Sequence, residues 1–109
     1  MAETNDEVTS AAMQIILHAG NARNYEREAA AFISDKKFMD AERLLKQAND
    51  EIIEAHKIHT RLLQTTAAGS AVDPSVLFTH AQDTLMTTES EIFIVGILYK
   101  MVKGETDAE

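Results

Sequence analysis

Cysteine and tryptophan are absent from this 109-residue chain, proline occurs once, glycine four times, and the aromatics are two tyrosines and four phenylalanines. Without cysteine there is no disulfide scaffold, no zinc-thiolate site and no cysteine nucleophile, which suits a reducing compartment. So little proline and glycine, beside abundant Ala, Glu, Lys, Leu and Met, excludes a turn-rich all-β fold and favours long helices. No apolar run approaches the roughly 18 residues of a membrane span, and the acidic start is the opposite of a signal peptide's basic one. A chain this short builds one core and no second. The expectation is a single cytoplasmic domain with no direct membrane insertion.

Basic stripes are missing too. The formal charge is −8, but Glu3, Asp6, Glu7, Glu105, Asp107 and Glu109 sit in short tails without a single Lys or Arg. Between the tails, acids and bases nearly balance. The acidity therefore serves solubility rather than a partner, and no Lys/Arg array with interleaved aromatics exists for nucleic acid.

What is present is helical periodicity in three stretches, about 9–33, 38–68 and 74–103. The first is expected to start at a Thr9 or Ser10 cap. It carries Val8, Ala12, Ile15, Ala19, Ala22, Tyr25, Ala29 and Phe32 at steps of three or four. Its small residues Ala19, Gly20 and Ala22 would let another helix come close, although Gly20 costs about 1 kcal/mol of helix propensity. Ser34-Asp35-Lys36-Lys37 interrupts the pattern. The second stretch repeats Phe38, Ala41, Leu45, Ala48, Ile52, Ala55, His59 and Leu62, and Gly69 suits its C-cap. The third opens at Asp73-Pro74, an N-cap acid before a first-turn proline, and runs through Leu77, Ala81, Leu85, Thr88, Ile92, Val95, Tyr99 and Val102 to a terminator at Gly104. Its segment 92–99 has strand-like composition but no partner strand, so it reads as helix. The whole predicts an all-α, up-down-up three-helix bundle. From Ile92 to Val102 the third helix is apolar on nearly every face, more than one bundle covers, which points to self-association through that helix.

The histidines and carboxylates remain as candidates for chemistry. His18 reads as a partly buried polar residue. His56 and His59 stand at metal-compatible i,i+3 spacing, but the di-iron bundle's Glu-x-x-His is missing and His59 falls on the core stripe. His80, Asp83, Thr84, Thr87 and Glu91 form a polar strip on the otherwise apolar third helix. A solvated helix face explains such a strip as readily as a site does. An imidazole can nonetheless act as nucleophile near neutral pH, with a carboxylate one turn away to orient it or hold a cation.

Thr79-His80-Ala81-Gln82-Asp83-Thr84-Leu85-Met86 resembles the His-Ala-Gln-Asp-His-Leu-Met signature of the lactose/cellobiose-type IIA components of the bacterial phosphoenolpyruvate-dependent sugar phosphotransferase system. Ala19-Gly20-Asn21-Ala22-Arg23 is similar to that family's small-residue segment, and Glu54-Ala55-His56, Gln64 and Gly69 match the end of its second helix. The likeness spans about residues 10–103. It implies a phosphocarrier in which His80 accepts a phosphoryl group from phospho-HPr and passes it to a cysteine of the cognate IIB protein. Uptake and phosphorylation of a β-linked disaccharide of the lactose, cellobiose or chitobiose class would follow. It also implies a parallel homotrimer in which Asp83 meets its symmetry mates around one Mg2+ on the threefold axis. The motif's second histidine is Thr84 here. Two other readings stand beside it: a non-catalytic helical interaction module, and a small metal-binding bundle using His56 and His59.

Overall fold

The computed structural model describes residues 2–67 and 76–107, which form three α-helices: α1 (Ala2–Ser34), α2 (Phe38–Ala67) and α3 (Val76–Asp107). Among the described residues there is no strand, and segment 92–99 is helical as its flanks require. Contacts between helices give their directions. Side chains of α2 and α3 meet as His59–Gln82, His56–Glu89 and Glu42–Tyr99; one number falls as the other rises, so these helices are antiparallel. Ala12 and Ile15 share a cluster with Ala81 and Leu85, whereas Ile33 clusters with Val95, so α1 and α3 run parallel. The result is an up-down-up bundle measuring 61 × 20 × 18 Å.

Alanine sets its thinness. Ala12, Ala19, Ala22, Ala29, Ala41, Ala48, Ala55 and Ala81 are all fully buried, and the largest side chains so enclosed are Ile15, Leu85 and Thr88. The expected core stripes are occupied, with Ile33 and Leu44 as additions and the larger members Tyr25, Phe32, Phe38, Leu45, Leu77, Ile92, Tyr99 and Val102 only half-buried. The close approach rests on Ala19 and Ala22 and not on Gly20, since a Cβ added to Gly20 would meet nothing within 4 Å.

Both outer helices are longer than their sequence signals predict. α1 continues through Thr9 and Ser10 back to Ala2: no glycine or proline interrupts that segment, and Val8, 6% exposed, extends the core stripe past the expected cap. α3 passes through Gly104 to Asp107; a glycine ends a helix only where the chain needs a left-handed residue, and Gly104 keeps helical backbone. The Gly69 cap and the Asp73-Pro74 start lie outside the described residues.

The turn between α1 and α2 has its own economy. Lys37 N–H donates to the Phe32 carbonyl at 2.8 Å and Lys36 N–H to the Ile33 carbonyl at 3.0 Å, closing α1 in a Schellman motif. Its left-handed position, usually glycine, is Lys36, with φ 59°. Lysine is strained there by roughly 1 kcal/mol. Lys36→Gly should therefore stabilise the fold by up to about 1 kcal/mol, and Gly20→Ala, in an open helix interior, by a similar amount. Thermal melts of both variants test this; a lowered Tm for Lys36→Gly would contradict the strain.

Candidate functional site

α3 presents different chemistry on each of its faces. Ala81, Leu85, Thr88 and Val95 are buried toward α1 and α2, while His80 and Asp83 are exposed. His80 stands four residues after Val76, near the amino-terminal end of α3 as described. Side chains on a helix lean toward its N-terminus, where unpaired N–H groups favour negative charge. The imidazole is thus accessible and close to the positive end of a long helix.

The two threonines of the strip are turned to the backbone. Thr84 Oγ1 donates to the His80 carbonyl at 2.7 Å, and Thr87 Oγ1 donates to the Asp83 carbonyl at 2.7 Å. Thr84 therefore keeps lone pairs free, but its one proton is already placed on the carbonyl of the residue it accompanies.

Glu91 is held from α1. Arg23 Nε donates to Glu91 Oε1 at 3.0 Å, and its NH2 group donates to Glu91 Oε2 at 3.4 Å and to Thr87 Oγ1 at 3.1 Å. The hydrogen bond from Arg23 holds the Glu91 carboxyl below the usual carboxylate range, against the opposing effect of its partial burial. The strip is consequently divided: His80 and Asp83 face outward, whereas Thr87 and Glu91 are tied to Arg23.

The remaining histidines are occupied elsewhere. His18 Nδ1 pairs with Glu51 Oε1 at 2.8 Å, and the same oxygen accepts from Asn21 Nδ2 at 3.3 Å. His56 Nε2 lies 3.1 Å from Glu89 Oε1. His59 is buried, stacked on Phe78 with ring centroids 6.3 Å apart, and accepts at Nε2 from Gln82 Nε2 at 3.0 Å. Burial first, and the neighbouring His56 second, hold its imidazole below the ordinary value. His59 is thus a neutral core residue that fixes the amide of Gln82, inside the motif. Among the described residues no three His, Asp or Glu side chains come together in a metal-holding group, so His56 and His59 build no such site and Asp83 stands alone within one chain.

Arg23, and Gln82 as partner of His59, lie outside the strip that spacing alone picks out. Buried Glu26, which belongs to no part of that strip, falls in the core register Ala22, Glu26, Ala29, Ile33, where an acid is out of place.

Beyond Thr88 on the buried side, α3 keeps a second stripe at three-four spacing. Asp83, Met86, Ser90, Phe93 and Ile97 are all exposed, Phe93 at 69% and Ile97 at 41%, with Ile94 and Met101 beside them. A cavity of about 350 Å³ between α2 and α3 reaches this stripe, lined by Leu45, Ile52, Ile92, Phe93, Ile97 and Lys100 among others. Among the described residues no helix is long and apolar enough to cross a membrane.

Comparison with known proteins bears on this arrangement. The family model for the lactose/cellobiose-specific IIA subunit of the PTS system matches residues 10–103. A lactose-specific EIIA component of Staphylococcus epidermidis is 41% identical over 83 residues, 76% of this chain and 80% of that protein. A lactose-specific EIIA component of Lacticaseibacillus casei is 34% identical over 100% of this chain and 97% of its own. Among solved structures, PtcA from S. mutans superposes with a TM-score of 0.88 at 38% identity, covering 90% of this chain and 96% of that one. The cellobiose-specific enzyme IIA from Bacillus anthracis gives 0.86 at 32% identity, covering 92% of each.

The neutrality of His59 makes a prediction about acid stability. An imidazole held neutral by the fold takes up a proton more readily once unfolded. Its contribution is complete above the ordinary imidazole value and is lost as pH falls from there through the folded one. His59→Gln keeps a polar partner for Gln82 and cannot titrate. Between pH 7.5 and 5 the wild type should lose more Tm than this variant; equal losses would place His59 in water.

Proposed function

Because the chain belongs to the lactose/cellobiose-specific IIA family of the phosphotransferase system, whose members are phosphotransfer proteins, we propose that His80 is its phosphoryl-accepting residue. The single observation carrying this reading is the exposure of His80 near the amino-terminal end of α3 within the Thr79–Met86 motif, while the other three histidines are engaged with partners.

Transfer would proceed by in-line attack. An uncharged nitrogen of His80 uses its lone pair to form a P–N bond as the P–N bond to the donor histidine of phospho-HPr breaks. The donor nitrogen keeps the bonding pair. A cysteine thiolate of the cognate IIB then attacks the same phosphorus, and the His80 nitrogen leaves with its pair. Positioning and charge stabilisation are the protein's tasks in such a step. Both partners must reach one nitrogen in turn, which an exposed imidazole allows. The sugar class that follows is the β-linked disaccharides, which the IIA component never touches.

The second element of the reading is assembly as a parallel homotrimer through the outer stripe of α3. Its spacing is that of a coiled-coil seam, and its large apolar side chains are exposed in one chain. Asp83 lies on this seam. Three copies on an axis would gather three carboxylates, a donor set suited to an oxygen-preferring cation such as Mg2+. Asp83 would hold it, and the charge it supplies offsets their mutual repulsion. Ser90, one heptad on, is small and uncharged and adds no further repulsion.

Two sets of variants test these elements separately. His80→Ala should abolish acid-labile phosphate incorporation from phosphoenolpyruvate, its kinase and HPr, with helicity and mass unchanged; labelling at wild-type level would refute the assignment. For assembly, two unit charges 4 Å apart at an effective dielectric near 20 repel by about 4 kcal/mol. Chelation should therefore loosen the wild-type trimer in sedimentation. Asp83→Leu should assemble without metal, and Asp83→Lys should fall apart. A wild-type mass indifferent to chelator, with an intact trimer for Asp83→Lys, would remove Asp83 from the axis.

A further inference from the structure

Midway along the seam between α1 and α3, away from His80, lies a carboxyl that the phosphocarrier reading does not use. Glu26 is 7% exposed, and its Oε2 is buried with no hydrogen-bond partner. An ionised carboxylate in that position would be a buried charge with no hydrogen-bond donor on that oxygen. Its opposite number on α3, Glu91, has both oxygens taken by Arg23 at 3.0 and 3.4 Å. The same guanidinium donates to Thr87 Oγ1 at 3.1 Å, and the Thr87 hydroxyl donates to the Asp83 carbonyl at 2.7 Å. One arginine thus ties two successive turns of α3 to α1, and that connection ends at the carbonyl of Asp83.

We propose that Glu26 and Glu91 share a single proton, and that this proton decides whether Arg23 can hold α3 at Thr87. With the proton on Glu26, the guanidinium serves Glu91 and Thr87 together. Once it leaves, Glu26 competes for the same guanidinium, and the weakest obligation, the neutral Thr87 hydroxyl, is the one released. Arg23 and Glu26 are positioning residues here; neither touches the transferred group.

The surroundings make this competition local. On its own helix the charges acting on Glu26 are Arg23 and Arg27, and from α3 the charge is Glu91. Across the antiparallel α2, the buried residues near this level are Leu44 and Ala48, while Arg43 is turned outward to Asp40 and Gln47. Lys46, on the same stretch of α2, is paired with Asp50 at 3.2 Å, so both cations of α2 near this level are engaged on α2 itself. Burial, reinforced by the hydrogen bond to Glu91 and its negative charge, pushes the Glu26 carboxyl up to about 7, while the hydrogen bond from Arg23 holds Glu91 down. The two carboxyls titrate as a pair. An acid raised by the fold stabilises it below the ordinary carboxyl value, and that stability is lost as pH rises from there through neutrality.

The test uses the full chain with carboxyl-labelled glutamate, followed by nuclear magnetic resonance between pH 4 and 9, and needs no phosphoryl transfer. One glutamate carboxyl of the wild type should titrate near neutrality, and the Thr87 methyl and amide signals should shift with the same midpoint. In Glu26→Gln, which is nearly isosteric, the neutral midpoint should vanish and Thr87 should stay flat. Glu26→Leu, which replaces the acid by an apolar side chain at a core position, should also leave Thr87 flat. In Glu91→Gln the Glu26 midpoint should fall toward the ordinary range, because its negative neighbour is gone. Wild-type glutamates that all titrate below about pH 5 would overturn the shared proton. A neutral titration that leaves Thr87 unmoved would overturn the clamp. Because neither readout involves His80, failure here is distinguishable from failure of the phosphocarrier reading.

Discussion

Every other feature of this bundle depends on how closely alanine allows its helices to approach. Alanine layers bury little area per residue compared with Leu or Ile, whose full burial contributes about 1.5–3 kcal/mol each. In return, backbones come near enough for side chains on the flanks of the seams to reach across. His18 to Glu51, Arg23 to Glu91, His59 to Gln82 and Tyr99 to Glu42 are all such bridges. The core holds the helices together, and the flanking bridges fix their register.

A thin core has a second consequence. Two slender neighbours cannot cover a helix with two apolar stripes, so α3 keeps Phe93, Ile94, Ile97, Leu98 and Met101 exposed. Two stripes at coiled-coil spacing coexist on this one helix, one spent on α1 and α2 and the other left outside. A helix with apolar residues on opposite sides has no single buried face, and such a pattern calls for two neighbours instead of one. The polar strip lies between these stripes, which is why residues with such different surroundings as His80 and Glu91 occur within three turns.

Histidine shows how far environment outweighs identity. His18 and His56 face carboxylates, His59 is enclosed against Phe78 and Gln82, and His80 stands in the open. An imidazole is a useful nucleophile only when reachable and uncharged, and a useful packing residue only when enclosed and neutral. The same side chain meets both needs in one small domain because burial, not sequence, sets accessibility. Glu26 extends the point to carboxyls, since enclosure pushes its carboxyl up to about 7, well above an ordinary surface acid.

The sequence by itself determined the helical class, the break at 34–37 and the core stripes of all three helices. Periodic burial of apolar side chains is a local property, written in spacing. It also singled out the motif containing His80 and Asp83, because that identity lies in a contiguous run. Helix ends were less legible at Thr9, Ser10 and Gly104: a capping residue permits a stop, and continued packing or plain helical backbone can override it. The tertiary structure decided the rest. Whether Thr84 points to solvent or to the His80 carbonyl is a matter of rotamer. Which carboxylate Arg23 grips, and that His59 locks Gln82, depend on residues 68 and 23 positions apart. Neither spacing nor composition records such distances. They exist only once the three helices pack, α3 parallel to α1 and antiparallel to α2, with alanine between them.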